Sequence, residues 1–260
     1  MAGNIASVRH SAAEIGAAGR AARRGGRLPA VAAALVIAVD GPSGSGKSSA
    51  AKGAAVALGL RYLDTGAMYR AVTWWMLEHD VDLTDPEAVA KHATCLTVDV
   101  STDPGDERIV VDGTDVTASI RQRRVSNAVS LVAAIPRVRE HLIAAQRQII
   151  ADASAHYGGI VAEGRDIGTV VAPQAPVKVF LTASEQARAE RRTAELASQS
   201  DAGRPLSAEV TREEQALRDR LDAPQTRRAT DAIQVDATLL GLDEVIGRIV
   251  QLAAAHRSER

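Results

Sequence analysis

Leu35-Val36-Ile37-Ala38-Val39 is an unbroken apolar run that stops at Asp40-Gly41-Pro42. A run without alternation has no wet face, so it predicts a strand buried on both sides, as in a parallel sheet. A Gly/Ser stretch follows. Lys47 to Leu58 is then Ala-rich and ends at Gly59, which predicts a helix with a glycine stop. Arg61 to Asp64 predicts a short strand and Gly66 to His79 a helix. Pro136 to Asp152 predicts a helix with proline in its first turn. Gly159 to Ala162 and Val177 to Leu181 are again buried strands. Ser184 to Ala197 and Ser207 to Leu221 are charged helices around a polar stretch, Ser198 to Pro205. Ile233 to Val235 is a last strand and Leu242 to Ala255 a last helix.

The pattern changes between residues 93 and 131. Cys95 to Ser101 alternates, as does Arg108 to Asp112, with turn signals at Asp103-Pro104-Gly105-Asp106 and Asp112-Gly113. Alternation with tight turns predicts a small antiparallel sheet with one wet face. The whole reads as an α/β fold: a parallel sheet flanked by helices over 35–92 and 132–260, interrupted by an antiparallel insertion at 93–131.

Composition supports a folded chain. The 260 residues are 46% hydrophobic and 24% charged, so disorder or a fibrous repeat as the main state is excluded. Aromatics are 2%, so the core is expected to be Ala, Val, Leu and Ile. A net charge of −1 argues against a surface built to grip nucleic acid but leaves room for a local basic pocket. The single Cys95 cannot form an intrachain disulfide, which points to a reducing, cytoplasmic setting. The longest apolar run, Ala30 to Val39, is about half of the ~20 residues that cross a bilayer. Residues 1–34 carry five arginines against one acid, Glu14. They are read as a disordered extension, with a targeting segment as the alternative.

Gly41-Pro42-Ser43-Gly44-Ser45-Gly46-Lys47-Ser48 matches G-x-x-x-x-G-K-[ST] at every fixed position, between a buried strand and a helix. The glycines let successive N–H groups curl around phosphate oxygens, and the helix start adds partial positive charge. Lys47 would reach the β- and γ-phosphates, and Ser48 would offer its hydroxyl to Mg²⁺. Nucleotide binding follows, with Ser49 closing the set. The loop alone leaves kinases, switch GTPases and motor ATPases open. The lysines are Lys47, Lys52, Lys91 and Lys178, none after an Asn, so the guanine-reading N-K-x-D is missing. The strand ending at Glu163 carries a lone acid rather than the paired acids of a motor. Arginines cluster in the second half, where a transferring phosphoryl group needs positive charge.

Four motifs then make the comparison specific. Ile37 to Ser49, Asp64-Thr65-Gly66-Ala67-Met68-Tyr69-Arg70, Pro136-Arg137-Val138-Arg139-Glu140 and Glu163-Gly164-Arg165-Asp166-Ile167-Gly168-Thr169-Val170-Val171 resemble, in order and spacing, those of the bacterial cytidylate kinase family. That resemblance implies a P-loop kinase fold with a nucleotide-monophosphate-binding insertion and a helical lid, here about 184–222. It implies ATP and Mg²⁺ as cofactors, CMP and dCMP as substrates, and direct phosphoryl transfer. By the same resemblance Thr65, Arg70 and Arg165 bind the acceptor's phosphate end. Asp166 accepts from the cytosine amine, Arg139 donates to the base's O2 and N3, Ser130 is a further base contact, and Asp222 holds the ribose. Arg188 and Arg191 are carried over as catalytic lid cations beside Lys47; with Arg192 they stand at i, i+3 and i+4 on one predicted helix face. Glu163 would hold a magnesium-bound water or orient Arg165.

One departure stands out. Relatives place an arginine three residues after the aspartate at 222, where this chain has Gln225. We expect Arg227, or else Arg228, to take its place if the loop re-routes. The alternatives are a P-loop kinase for another small phosphate acceptor and a non-catalytic nucleotide-binding module. We expect a monomer with small-molecule partners, and neither a nucleic-acid nor a membrane partner.

Overall fold

A computed structural model describes residues 34–198 and 208–258. All but residue 34 of the extension expected at 1–34, and all but residue 198 of the polar stretch at 198–205, lie outside the described residues. Five strands form one parallel sheet: β1 (Leu35–Asp40), β2 (Arg61–Asp64), β6 (Gly159–Gly164), β7 (Val177–Thr182) and β8 (Ile233–Asp236), in the order β2-β6-β1-β7-β8. Asp40 pairs in register with Gly164 and Phe180, and Asp64 with Glu163. The carboxyl ends of four neighbouring strands therefore finish along one edge, where α/β folds bind ligands.

Both faces of the sheet are covered. Ile37 and Val39 of β1 and Val161 of β6 turn to one face, where α1 (Lys47–Leu58) and α8 (Leu242–Ser258) pack. Ala38, Ile160 and Ala162 turn to the other, with α2 (Thr65–Glu78) and α5 (Pro136–Tyr157). Small residues set the spacing. A Cβ on Gly53 of α1 would lie 2.3 Å from Cδ1 of Ile246 on α8, so the two helices touch where a larger residue would part them.

The second sheet is antiparallel: β3 (Val98–Val100), β4 (Ile109–Val111) and β5 (Thr114–Asp115). Asp112 and Gly113 have φ of 46° and 82°, the two left-handed residues of a tight hairpin turn. The expected strand from Cys95 shrinks to three residues.

Two helices lie where the pattern predicted none. α3 (Pro86–Ala93) is short, though Asp85 caps it and proline opens it. α4 (Arg123–Ala133) buries Val125, Val129 and Val132 together with Ser126 and Ser130. Its valines recur at helical spacing, but β-branched and serine residues are weak helix formers, and the segment overlaps the range predicted as the antiparallel insertion. α5 continues past Asp152 to Tyr157, stopping at the left-handed Gly158. The charged helices are α6 (Glu185–Ser198) and α7 (Ala208–Asp222).

Candidate active site

A cleft of about 460 Å³ runs across the carboxyl ends of β1, β2 and β6. The loop from Gly41 to Ser48 forms one wall. Gly41 has φ 148°, and a Cβ there would sit 2.0 Å from the Leu181 carbonyl oxygen. Gly44 has φ 73°, and a Cβ there would meet Nε2 of Gln215 at 2.6 Å. Gly46, at φ 92°, opens α1 without a side-chain cap, so the first N–H groups of that helix face the cleft as an anion site. Ser43, Gly44, Ser45, Gly46, Lys47, Ser48 and Ser49 line the wall, while Gly41 and Pro42 lie behind it. Their carbonyls hold cations: Lys47 Nζ donates to Pro42 O at 2.8 Å and Arg165 Nη1 to Gly41 O at 3.0 Å. Lys47 is buried, and burial first, then the Arg165 charge, lowers its pKa.

Ser48 Oγ donates to Glu163 Oε1 at 2.6 Å. Glu163 is buried, and burial followed by the Asp64 charge raises its pKa. A hydroxyl and a carboxylate side by side are hard oxygen donors suited to Mg²⁺. The Glu163 side chain contacts Ser48, and Thr65 Oγ1 donates to its backbone oxygen at 2.8 Å.

The opposite wall is cationic. Arg70 of α2 donates through Nη1 to Ser126 Oγ at 2.7 Å and to Ile120 O at 3.3 Å. Its pKa is pushed down to about 9, by burial first and then by Arg218, Arg121 and Arg192. Arg218 of α7 is lowered to about 10, again by burial first and then by Arg165. Arg70, Arg121, Arg165, Arg192 and Arg218 all line the cleft. Arg70 and Arg218 thus lie near like charges that a bound anion would offset, whereas for Arg121 burial is outweighed by nearby anions, Asp64 and Glu107 foremost, which raise its pKa.

Farther in, Arg139 and Asp166 form a largely buried ion pair. Asp222 accepts from Ser130 Oγ at 2.8 Å and from Arg165 Nε at 3.1 Å. Thr65, Arg70, Ser130, Arg139, Arg165, Asp166 and Asp222 are thus brought to one cleft.

Besides Gly41 and Pro42, two expected residues are not. Arg188 does not line the cleft. It is buried, and its Nη1 donates to Ser43 O at 3.0 Å and to Asp219 Oδ2 at 2.5 Å. Asp219 draws it against the back of the phosphate loop, so it braces that loop. Arg191 does reach the cleft, donating to Ser45 O at 3.3 Å and Ala237 O at 2.6 Å. Arg227 is exposed and absent from the cleft wall, whereas Gln225 is part of it. After α7 the amides of Gln225 and Thr226 both donate to Asp222 O, at 3.0 and 2.9 Å. That tight turn aims Gln225 inward and carries Arg227 past the opening; Arg228 donates instead to Gln234.

The sequence reading missed Arg218, Arg121 and Ser126. Arg218 had a signal: it stands one helical turn before Asp222 and shares its face. Arg121 and Ser126 sit in the short 3-10 turn Ser119–Arg121 and in α4, neither of which the pattern revealed.

The family model described as cytidylate kinase matches residues 37–255. The cytidylate kinase of Streptomyces griseus is 48% identical over 227 residues, covering 86% of this chain and 94% of that protein. That of Streptomyces avermitilis is 45% identical over 231 residues, covering 87% and 96%. That of Geobacillus kaustophilus is 44% identical over 222 residues, covering 84% and 96%.

Proposed function

Because the chain belongs to the cytidylate kinase family, we propose a residue-level account of how it phosphorylates CMP with ATP. The reaction moves the γ-phosphoryl group of ATP onto the phosphate of CMP and releases ADP. A phosphate oxygen of CMP attacks the γ-phosphorus in line while the bond to the β,γ-bridging oxygen breaks. The nucleotide phosphate is mostly dianionic at pH 7, so no general base is required. The protein's task is to align the two phosphates and neutralise their charge.

The observation that carries this reading is seven arginines sharing one cleft with a phosphate loop. Arg70, Arg165 and Arg218 receive the acceptor phosphate, with Thr65 at the turn beneath it. Guanidinium forks suit bidentate phosphate contacts. Lys47, Arg191 and the loop amides hold the donor phosphates. Arg139 donates to the cytosine ring, Asp166 accepts from its amine, Ser130 supports the base edge and Asp222 the ribose. A carboxylate accepts from an amine and cannot pair with the carbonyl of uracil, which gives the preference for cytosine. The same contacts admit dCMP. Ser48 and Glu163 would hold Mg²⁺, which supplies charge neutralisation between the donor phosphates when bound. We also propose that the 93–131 insertion and the 184–222 lid close over the substrates and exclude water.

A cytoplasmic monomer is our further reading; light scattering tests the monomer and fractionation of cells the location. No helix among the described residues is long and apolar enough to cross a membrane. A coupled ADP-release assay across CMP, dCMP, UMP and AMP tests the activity. Turnover of CMP and dCMP well above UMP is expected, and equal rates on all four would defeat the base assignment.

A further inference from the structure

The turn that follows β6 is a π-helical one, Ile167–Val171. Its internal bonds run from the amides of Val170 and Val171 to Asp166 O and from Ala172 N to Ile167 O. The amides of Ile167 and Gly168, at its start, have no acceptor within the turn. Asp40 supplies both: Oδ1 accepts from Ile167 N and Oδ2 from Gly168 N, each at 2.8 Å. Asp40 is buried at the end of β1, in register with Gly164 and directly before the phosphate loop. From the other side Arg165 reaches back to Gly41 O. Residues 40 and 41 therefore grip 165–168 at three points.

We propose that Asp40 is a positioning residue that locks the acceptor-reading turn to the phosphate loop, so that Arg165 and Asp166 meet CMP in register with the donor. The inference rests on the roles assigned above to Arg165 and Asp166. Asp40 touches neither substrate in that reading. A carboxylate is the side chain of this size with two acceptor oxygens and no donor, which is what two adjacent amides require. The fit is close: a Cβ on Gly168 would lie 3.3 Å from Asp40 Oδ2 and 3.2 Å from Lys178 Cδ. Burying this carboxylate is unfavourable. Desolvation lifts its pKa to about 6 and Asp166 adds repulsion, while the two amides and Lys47 act in the opposite sense. Packing alone would be served better by an apolar residue. The phosphate loop does not need Asp40 for its own shape, because Arg188, Arg191 and Lys47 each hold one of its carbonyls.

The test is steady-state kinetics of Asp40→Asn and Gly168→Ala, with ATP, CMP and UMP varied in turn and melting followed in parallel. Asn would set an NH₂ against one of the two amides. Its KM for CMP should rise at least about tenfold, its KM for ATP should stay within about twofold, and its preference for CMP over UMP should fall about fivefold or more. Gly168→Ala presses on the same junction from the other side and should show the same split at smaller size. Parallel rises in both KM values, or an intact base preference, overturn the proposal. If Asp40→Asn does not fold, Gly168→Ala decides by the same two criteria. Wild-type enzyme that fails to prefer CMP over UMP would defeat the underlying site reading, whereas a normal wild type with unsplit variants defeats the role of Asp40 alone.

Discussion

Replacing Arg218 by Met should make the free protein more stable while lowering its activity at least about tenfold. Arg218 lies in the field of Arg165 and Arg192, its Nε is buried without a partner among the described residues, and burial is the first cause of its lowered pKa. At an effective dielectric of 20, one unit-charge repulsion at 8 Å costs about 2 kcal/mol. An unpaired buried donor adds about 1–3 kcal/mol. Against this stands attraction to Asp222 and Asp219. Neither carboxylate is orphaned by the change: Asp222 keeps Arg165 and Ser130, and Asp219 keeps Arg188. Met retains much of the aliphatic stem. A net gain of about 1 kcal/mol corresponds to a melting temperature higher by roughly 2–4 °C for a domain of this size. Catalysis should respond the other way. Losing a charge-assisted phosphate contact is worth about 1.5–3 kcal/mol, roughly a 10- to 150-fold loss in kcat/KM for CMP. The assays are differential scanning fluorimetry without nucleotide and coupled ADP release. A lower melting temperature would refute the reasoning, because it would mean that the arginines are held by partners and do not crowd one another.

Other outcomes follow from the same site. Asp166→Asn removes the charged acceptor and sets an NH₂ against the cytosine amine; kcat/KM for CMP should fall about 30- to 1000-fold, a cost of about 2–4 kcal/mol, and UMP should suffer less, so equal losses refute the base-reading role. Arg227→Ala and Arg228→Ala should each leave kcat/KM within about twofold, and Gln225→Arg should lower the KM for CMP because Gln225 is the residue at the cleft wall; a large loss in Arg227→Ala would reverse that assignment. Asp40 makes folding pH-dependent. Its folded pKa is raised from 3.8 to about 6, so the native state holds the proton more tightly and loses stability as pH rises through that window. Urea unfolding should show Asp40→Asn gaining on wild type between pH 4 and pH 7, by up to about 3 kcal/mol; a difference independent of pH would refute it.

The phosphate loop was legible in the sequence because it is a backbone motif, in which glycine spacing after a buried run dictates the curl. The parallel sheet was legible for the same kind of reason: β1 and β6 open as unbroken apolar runs, and β7 is apolar from Val177 to Leu181 apart from Lys178. Side-chain direction was less legible. Arg188, Arg191 and Arg192 share a helix face by spacing, yet Asp219 on a different helix turns Arg188 behind the loop, and no local pattern encodes that. Arg227 lies off the cleft wall for a related reason. Where a residue points after a tight turn depends on φ and ψ, and the double acceptance by Asp222 O decided it. The position of α4 was obscured by its composition, and with it the Ser126 contact to Arg70.

The strand order has a consequence for synthesis. β1 is made first but lies in the middle of its sheet, and its two neighbours begin at Gly159 and Val177. At roughly 5–20 residues per second, the ribosome takes about 6–25 s to reach the first of them. Throughout that interval Leu35 to Val39 has no lateral partner, and a β-rich apolar segment of low charge is the kind that recruits strands from other chains. The arrangement that centres the phosphate loop also leaves the nascent chain exposed longest at that segment. Chaperone occupancy on translating ribosomes should therefore be highest before residue 159 emerges and fall once β6 and β7 are free to pair.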